Sequence, residues 1–133
     1  MGALAWLHAK VPEQKSPLDR SIGAAFTVWR ELGRGMPPRI YRSALALELQ
    51  ELGVRAVEGA ELTVKYRSRV VGEVPVDLLV EEEVVVLVRG QGALRPADLL
   101  EATQLLASVR ARHGLLLNFG APRLEYRRLS SAG

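Results

Sequence analysis

The stretch VDLLVEEEVVVLVR, residues 76–89, contains two apolar runs on either side of three consecutive glutamates. Valine-rich runs of this length are typical of buried strands, and the charged triplet between them is typical of a turn. The stretch predicts a β-hairpin centred on Glu82, in which Asp77 lies roughly opposite Leu87. Asp77 is the one acid within the apolar runs. A buried carboxylate is costly unless a metal, a cation or hydrogen bonds compensate its charge.

Two helices are predicted on the N-terminal side of this hairpin. Ser16 is a suitable N-cap, Pro17 suits the first turn and Asp19 interacts favourably with the helix dipole. Apolar residues then recur at helical spacing as far as Gly33, which predicts a helix over residues 17–32. Pro38 begins a second predicted helix, over residues 38–52.

The remaining segments predict a mixed sheet with one more helix. We expect an antiparallel meander in which Pro75 lies opposite Arg89, then a crossover helix over residues 96–113. The predicted strands span residues 60–66, 70–80, 84–89, 115–119 and 124–129. This order predicts a single α/β (α+β) domain over residues 16–129, with an N-terminal extension at 1–15 and a flexible tail at 130–133.

The composition limits the class of protein. A chain of 133 residues with 48% hydrophobic content is long enough for one domain with its own core. It has no cysteine, which excludes disulfides and thiolate metal sites, and we expect a cytoplasmic protein. The apolar part of MGALAWLHAK, residues 1–10, is too short for a signal peptide or a membrane span, so no membrane partner is expected. The net charge of +3 is small for a dedicated nucleic-acid-binding protein.

The hairpin and its surroundings resemble a known family. An acid on one strand, two positions separated by one residue on the next strand, and a following crossover helix form the layout of the PD-(D/E)xK nuclease superfamily. Within it, the chain resembles the small GxxExxY family over residues 18–129. The matching segments are IGAAFTVWRELGRG, GMPPRIY, ALALELQELG, YRSRVVGEVPVDLLV, Gln104 and GLLLNFGAP. The resemblance implies a restriction-endonuclease-like mixed β-sheet flanked by helices.

The resemblance also implies a set of site positions. In this superfamily an Asp and a Glu hold a divalent metal, usually Mg²⁺, and a Lys assists the attacking water. Asp77 matches the Asp, whereas the Glu position falls on Leu87 and the Lys position on Arg89. The Glu of the GxxExxY motif is replaced by proline, and two further helix positions are retained. The six positions, which we interpret as vestigial, are Pro38, Glu48, Asp77, Leu87, Arg89 and Gln104.

These replacements predict a site without metal, cofactor or catalysis. Leu87 offers no oxygen to a hard cation, and Arg89 cannot act as a base at any reachable pH. The Arg89 guanidinium instead offers Asp77 a permanent counter-charge, aided by Gln104. The alternative is that Asp77 lies at an exposed strand end. By strand alternation Glu73 shares a face with Asp77, and it could replace the missing acid in a metal-dependent nuclease.

Three functions follow as hypotheses. The first is a catalytically inactive domain that acts by self-assembly or by binding a protein partner, with Leu4, Trp6 and Leu7 as the candidate interface. The second is a non-cleaving nucleic-acid-binding module. Its candidate contacts are Arg89, Arg123, Arg127 and Arg128. The third is the nuclease with a migrated acid at Glu73.

Other conspicuous residues are interpreted as structural. Glu81, Glu82 and Glu83 predict a solvated turn rather than a cation site. Trp29 and Tyr41 lie on apolar helix faces, which favours a core or interface position over base stacking. His8 and His113 have no carboxylate at metal-binding spacing, so we expect both at the surface.

Overall fold

The protein folds as a mixed β-sheet with helices on both faces. The computed structural model describes residues 15–131. Its helices are α1 (Pro17–Leu32), α2 (Pro38–Glu51) and α3 (Pro96–Ser108). Its strands are β1 (Ala56–Glu58), β2 (Glu61–Tyr66), β3 (Arg69–Pro75), β4 (Leu78–Val80), β5 (Val84–Arg89), β6 (His113–Asn118) and β7 (Glu125–Ser130). A five-stranded sheet has the order β1-β4-β5-β6-β7, and β2 and β3 form a separate two-stranded sheet. The predicted fold class is confirmed.

The strand β5 lies at the centre of the main sheet and is buried on both faces. Val86 and Val88 belong to the core between the sheet and helices α1 and α2. Val85 and Leu87 belong to the second core, between the sheet and α3. Each such side chain contributes about 1.5–3 kcal/mol by its removal from water. The valine-rich composition of β5 therefore fixes its place between two layers of helices.

The crossover from β5 to β6 passes through α3. These two strands are parallel, with Val86 opposite Leu115, whereas the other neighbouring strands are antiparallel. Parallel neighbours need a long connection, and a helix of this length is the usual solution. The predicted hairpin is also present, because Val80 lies opposite Val84 across a turn centred on Glu82.

The start of α1 follows the predicted capping. The backbone N–H of Asp19 donates to the Ser16 hydroxyl oxygen at 3.1 Å, and the bounds of the helix are as predicted. Asp19 also pairs with Arg128 of β7, at 2.9 Å between Oδ1 and Nη1. The hydrogen bond from Arg128, with a second from Ser16, lowers the pKa of Asp19. The pair ties the first turn of α1 to the edge strand.

The predicted end of α3, at residue 113, is wrong. The helix ends at Ser108, and Arg110 adopts the left-handed conformation with φ of 60°. The Ala111 N–H donates to the Leu106 carbonyl at 2.9 Å, and the Arg110 N–H donates to the Ala107 carbonyl at 3.1 Å. This is a Schellman ending, in which the left-handed residue is usually glycine. Because arginine occupies the position where glycine is usual, no residue type signals the end of α3.

The predicted strand over residues 70–80 is divided into two. Its first part, β3, pairs with β2, so Pro75 lies opposite Glu61 rather than Arg89. Its second part, β4, lies between β5 and the short strand β1, which the sequence did not predict. The expected three-stranded meander is therefore distributed over two sheets.

The division is a bend in one continuous antiparallel ribbon. Between the two pairs of strands, the Gly59 N–H donates to the Asp77 carbonyl at 3.1 Å. The Val76 N–H donates to the Ala60 carbonyl at 2.9 Å, so the ribbon keeps one register through the bend. Gly59 has φ of 63°, a conformation that favours glycine. Asp77 lies at this bend, where the ribbon of β2 and β3 leaves the main sheet.

The Asn-Phe-Gly segment at the end of β6 fastens the loop that follows β5. The buried Asn118 amide donates to the Gln91 carbonyl and to a Glu125 carboxylate oxygen, both at 2.9 Å. Its oxygen accepts from the Gln91 N–H at 2.9 Å. The hydrogen bond from Asn118 is the main cause that lowers the pKa of Glu125. The segment thus holds the carboxyl end of β5 in place.

Some predicted segments lie outside the described residues. These are the candidate interface of Leu4, Trp6 and Leu7, together with His8 and residues 132–133. Ser130, which was assigned to the flexible tail, instead ends β7. Within residues 15–131, none of the helices has the length and apolar character that crossing a bilayer requires.

We expect Gly120→Ala to destabilise the protein by about 1–3 kcal/mol, because the added carbon needs space that the loop does not have. A Cβ at Gly120 would lie 2.5 Å from the Gln91 carbonyl oxygen and from the Gly90 carbonyl carbon. Urea denaturation measures the change. The matched control is Gly23→Ala, whose Cβ meets nothing within 4 Å on α1 and should stabilise by about 0.5–1 kcal/mol. Equal behaviour of the two variants would contradict the packing of the Asn-Phe-Gly segment.

Candidate functional site

The site is built around Asp77 at the bend of the ribbon. One carboxylate oxygen, Oδ2, accepts a hydrogen bond from the Val88 N–H at 2.8 Å. The same oxygen lies 3.8 Å from Nη1 of Arg89. The two side chains are 27% and 31% exposed, so the carboxylate is less buried than the apolar sequence around it predicted. The diagonal placement of Arg89 beside Asp77 is as expected.

Leu87 lies within the core next to this pair. It is 3% exposed and packs between the sheet and α3. It belongs to the same core cluster as Val76, Val85, Ala102, Leu106, Leu116 and Leu129. Alternation along β5 places Leu87 and Arg89 on the same face of the sheet. The position that corresponds to a metal-binding glutamate is therefore an apolar core position.

Pro38 brings the start of α2 to the same end of the sheet. A Cβ placed on Gly90 would lie 3.1 Å from Cγ of Pro38, so the proline ring rests on the residue that follows Arg89. Tyr41, one turn later, is buried and stacks on Phe119 with ring centroids 4.2 Å apart. Four of the six family positions thus meet at the carboxyl end of β5. They are Pro38, Asp77, Leu87 and Arg89.

The other two family positions lie elsewhere. Glu48 is ten residues after Pro38, about 15 Å along the helix axis. It lines a cleft of about 280 Å³ between α1 and α2, together with Glu31 and Glu51. Gln104 is exposed on α3. The expected help of Gln104 in neutralising Asp77 is absent from the hydrogen bonds of the described residues, in which Asp77 is bonded by Val88.

Glu73 is separated from Asp77 by the bend. It is an exposed residue of β3 and lies opposite Thr63 in the two-stranded sheet. Alternation would place Glu73 on the face of Asp77 only if one unbroken strand ran from residue 70 to 80. Because the strand is divided at Val76 and Asp77, that relation no longer holds.

The residues at this end of β5 do not fit a divalent metal. Mg²⁺ demands near-octahedral coordination by oxygen, usually with at least one or two carboxylates. Asp77 supplies one carboxylate, and Leu87 supplies no ligand. Across residues 15–131, no group of three or more histidine, aspartate or glutamate side chains could hold a metal ion. The Arg89 guanidinium, 3.8 Å from the Asp77 carboxylate, adds a positive charge that would repel a cation bound there.

The candidate nucleic-acid contacts on β7, Arg127 and Arg128, lie on different faces of the sheet. Arg128 pairs with Asp19, and Tyr126 contacts Phe26 edge to face at 5.7 Å, so both point toward α1. Leu129 packs in the core on the α3 side, and alternation places Arg127 on that side as well. Arg123 is exposed in the loop before β7. These arginines form no continuous strip.

The residues interpreted as structural behave as expected. Trp29 packs against Phe119, with ring centroids 6.2 Å apart, and is part of the core with Tyr41. Glu81 accepts from the Arg55 N–H at 2.7 Å, and Glu82 pairs with the Arg55 side chain. The acidic turn is therefore exposed and anchored by Arg55, the residue before β1. His113 is exposed at the start of β6.

One charged group was missed at the sequence level. Lys65, Arg67 and Arg69 lie together at the far end of the two-stranded ribbon, and all are exposed. The signal was the absence of any acid between Glu61 and Glu73. The period-two pattern of the flanking residues predicts a turn here, whatever charges the turn carries.

This strand order, with Asp77 before β4 and Leu87 and Arg89 on β5, is typical of a nuclease-like domain. The family model of the PD-(D/E)XK nuclease superfamily matches residues 16–129, and the chain belongs to this superfamily. The crystal structure of the protein SSO0001 is similar to this chain, with a TM-score of 0.51 and 12% identity over 90% of this chain. The match covers 58% of that protein, and at this identity it supports the fold alone. A comparison with curated proteins gave no significant match.

We expect Asp77→Ala to destabilise the protein by about 1–3 kcal/mol, because it leaves the Val88 N–H without its acceptor. Asp77→Asn keeps an acceptor oxygen and loses only the pairing with Arg89. Since partly exposed ion pairs contribute less than about 1 kcal/mol, the loss should be smaller. Urea denaturation of both variants separates the two contributions. Equal losses would mean that the ion pair, and not the hydrogen bond, is the main role of the side chain.

Proposed function

We propose that the domain is a catalytically inactive member of its superfamily, of the GxxExxY type, that acts by binding. The observation that supports this most directly is the burial of Leu87. A metal-binding glutamate needs water, a cation or both beside it, whereas Leu87 is 3% exposed among apolar neighbours. The position therefore supplies no ligand to a metal, and its surroundings are those of an apolar core.

The charge at Arg89 supports the same proposal. A lysine at this position can give up a proton, whereas an arginine remains protonated at any pH at which the protein is folded. Its guanidinium lies 3.8 Å from the carboxylate of Asp77. The Asp77 carboxylate thus has a counter-charge in Arg89 without a metal, and the hydrogen bond that it accepts from the Val88 N–H gives it a structural role.

The first candidate partner is another protein or a second copy of the chain. Large apolar side chains are exposed on the helices, among them Leu47 at 57% and Leu100 at 61%. The apolar N-terminal residues Leu4, Trp6 and Leu7 provide a further candidate surface. The absence of cysteine supports a cytoplasmic location for such an assembly.

We expect the full chain to form a specific oligomer at tens of micromolar, and deletion of residues 1–15 to convert it to a monomer. Sedimentation equilibrium measures both masses directly. Replacement of Leu4, Trp6 and Leu7 by serine in the full chain is the second variant, since it keeps the length. A monomeric full chain would contradict self-assembly, and an oligomer that is unchanged in both variants would place the interface elsewhere.

The second candidate is a nucleic acid that is bound without cleavage. Arg89 is about one-third exposed at the end of β5, where a phosphate could approach its guanidinium. Arg123 and Arg127 are also exposed, although they do not lie on one strip with Arg128. Such binding would weaken steeply with salt.

The absence of metal binding can be tested by restoring the family residues. We expect millimolar Mn²⁺ or Mg²⁺ to leave the melting temperature of the wild type unchanged. It should raise that of the triple variant Pro38→Glu, Leu87→Glu and Arg89→Lys, because only a folded state that binds the ion is stabilised by it. Differential scanning calorimetry gives both values. The matched control adds Asp77→Ala to the triple variant and should abolish the response.

A stabilised wild type would contradict the proposal. Cleavage of nucleic acid by the wild type, abolished by Asp77→Ala, would contradict it as well. Glu73→Ala is then the variant that decides whether a migrated acid takes part. If Glu73→Ala leaves that cleavage unchanged, the second acid that the cleavage needs is a residue other than Glu73.

A further inference from the structure

The β2–β3 ribbon ends, on the side away from Asp77, in a concentrated basic surface. Residues 62–72 contain three cations, Lys65, Arg67 and Arg69, and no acid. Every residue from 65 to 72 is exposed. The flanking acids, Glu61 and Glu73, lie in the lower half of the ribbon, so the positive charge is confined to its tip. We call residues 65–71 the ribbon tip.

The turn of the ribbon tip lacks the residue types that its backbone conformation favours. Arg67 and Ser68 both have positive φ, 50° and 66°, between the paired residues Tyr66 and Arg69. A two-residue turn of this kind strongly favours Asn-Gly, because those residues adopt the left-handed conformation with little strain. The chain instead carries a cation in the turn. Departures from local preference are concentrated at functional positions.

The acidic turn of the main hairpin provides an internal comparison. Glu81 and Glu82 also have positive φ, 52° and 58°. Both are bonded by Arg55, so that turn has a partner within the fold that accounts for its side chains. In the ribbon tip, the Arg67 guanidinium instead lies 5.2 Å from the centre of the Tyr66 ring, itself 60% exposed. Among the described residues, the tip thus makes its contacts within itself. Its charges remain accessible to a partner.

We propose that the ribbon tip binds double-stranded DNA by entering the major groove. The major groove of B-form DNA is wide enough to accept a two-stranded β-ribbon. Lys65, Arg67 and Arg69 would contact phosphates at its walls, since each carries a cation at the very end of the projection. A-form RNA has a deep and narrow major groove that side chains cannot read, so the duplex expected here is DNA.

DNA binding at the ribbon tip does not depend on the inactivity of the Asp77 site. The tip is another surface, and binding there would accompany either an active or an inactive site. Exposed Val70 and Val71 offer a competing interpretation, in which the tip pairs with a second copy of the chain. The charge decides between the two, because three like charges on each tip would repel when two tips meet.

The test is the salt dependence of DNA binding by the full chain. Fluorescence anisotropy with a labelled 20-bp duplex measures the binding constant over a series of salt concentrations. Arg67→Gln with Arg69→Gln should reduce the slope of log K against log salt by about 0.9 for each phosphate that is no longer neutralised, about 2 in all. The matched control, Arg30→Gln with Arg112→Gln, removes two equally exposed charges elsewhere and should leave the slope nearly unchanged.

A second variant separates binding from stability. Arg67→Asn with Ser68→Gly installs the preferred turn, so the melting temperature should stay the same or rise while the slope falls by about 0.9. Absence of duplex binding at low salt would overturn the inference. So would equal loss in the control variant, equal affinity for duplex RNA, or a dimer that Val70→Thr with Val71→Thr abolishes without any effect on DNA.

Discussion

The structure depends on the position of Asp77, because this one residue joins three strands. Its carbonyl accepts a hydrogen bond from Gly59, at the end of β1, and its carboxylate accepts one from Val88 of β5. These bonds hold the bend of the ribbon against the central strand. An aspartate at this position therefore has a structural role whether or not a metal is bound.

The secondary-structure elements that depend on neighbouring residues could be predicted from the sequence. The cap and proline at the start of α1, and the period-two pattern around Glu82, predicted the helix and the hairpin because both depend on neighbouring residues. The bend of the ribbon was not predictable in this way. It needs Gly59, which lies on the opposite strand from Asp77, so no pattern within residues 70–80 contains it. The end of α3 was missed for a different reason, since Arg110 takes a conformation that usually identifies glycine.

The candidate site was predicted in part. Alternation on β5 and the hairpin register were sufficient to place Arg89 beside Asp77 and Leu87 toward the core. The sequence could not show that Glu48 faces a cleft between α1 and α2, because that depends on how the helices pack. It also could not show that Glu73 belongs to a different sheet. Both points concern relations between elements, about which one sequence carries little information.

The ribbon keeps one register through its bend. Its length beyond the bend is therefore independent of the main sheet. Pairs of residues added or removed near Tyr66 and Arg69 would leave β1, β4 and the bend in the same register. Each residue in a strand adds about 3.3 Å, so the reach of the projection can change in steps while the core stays intact. The length of the ribbon can therefore change without any compensating change in the main sheet.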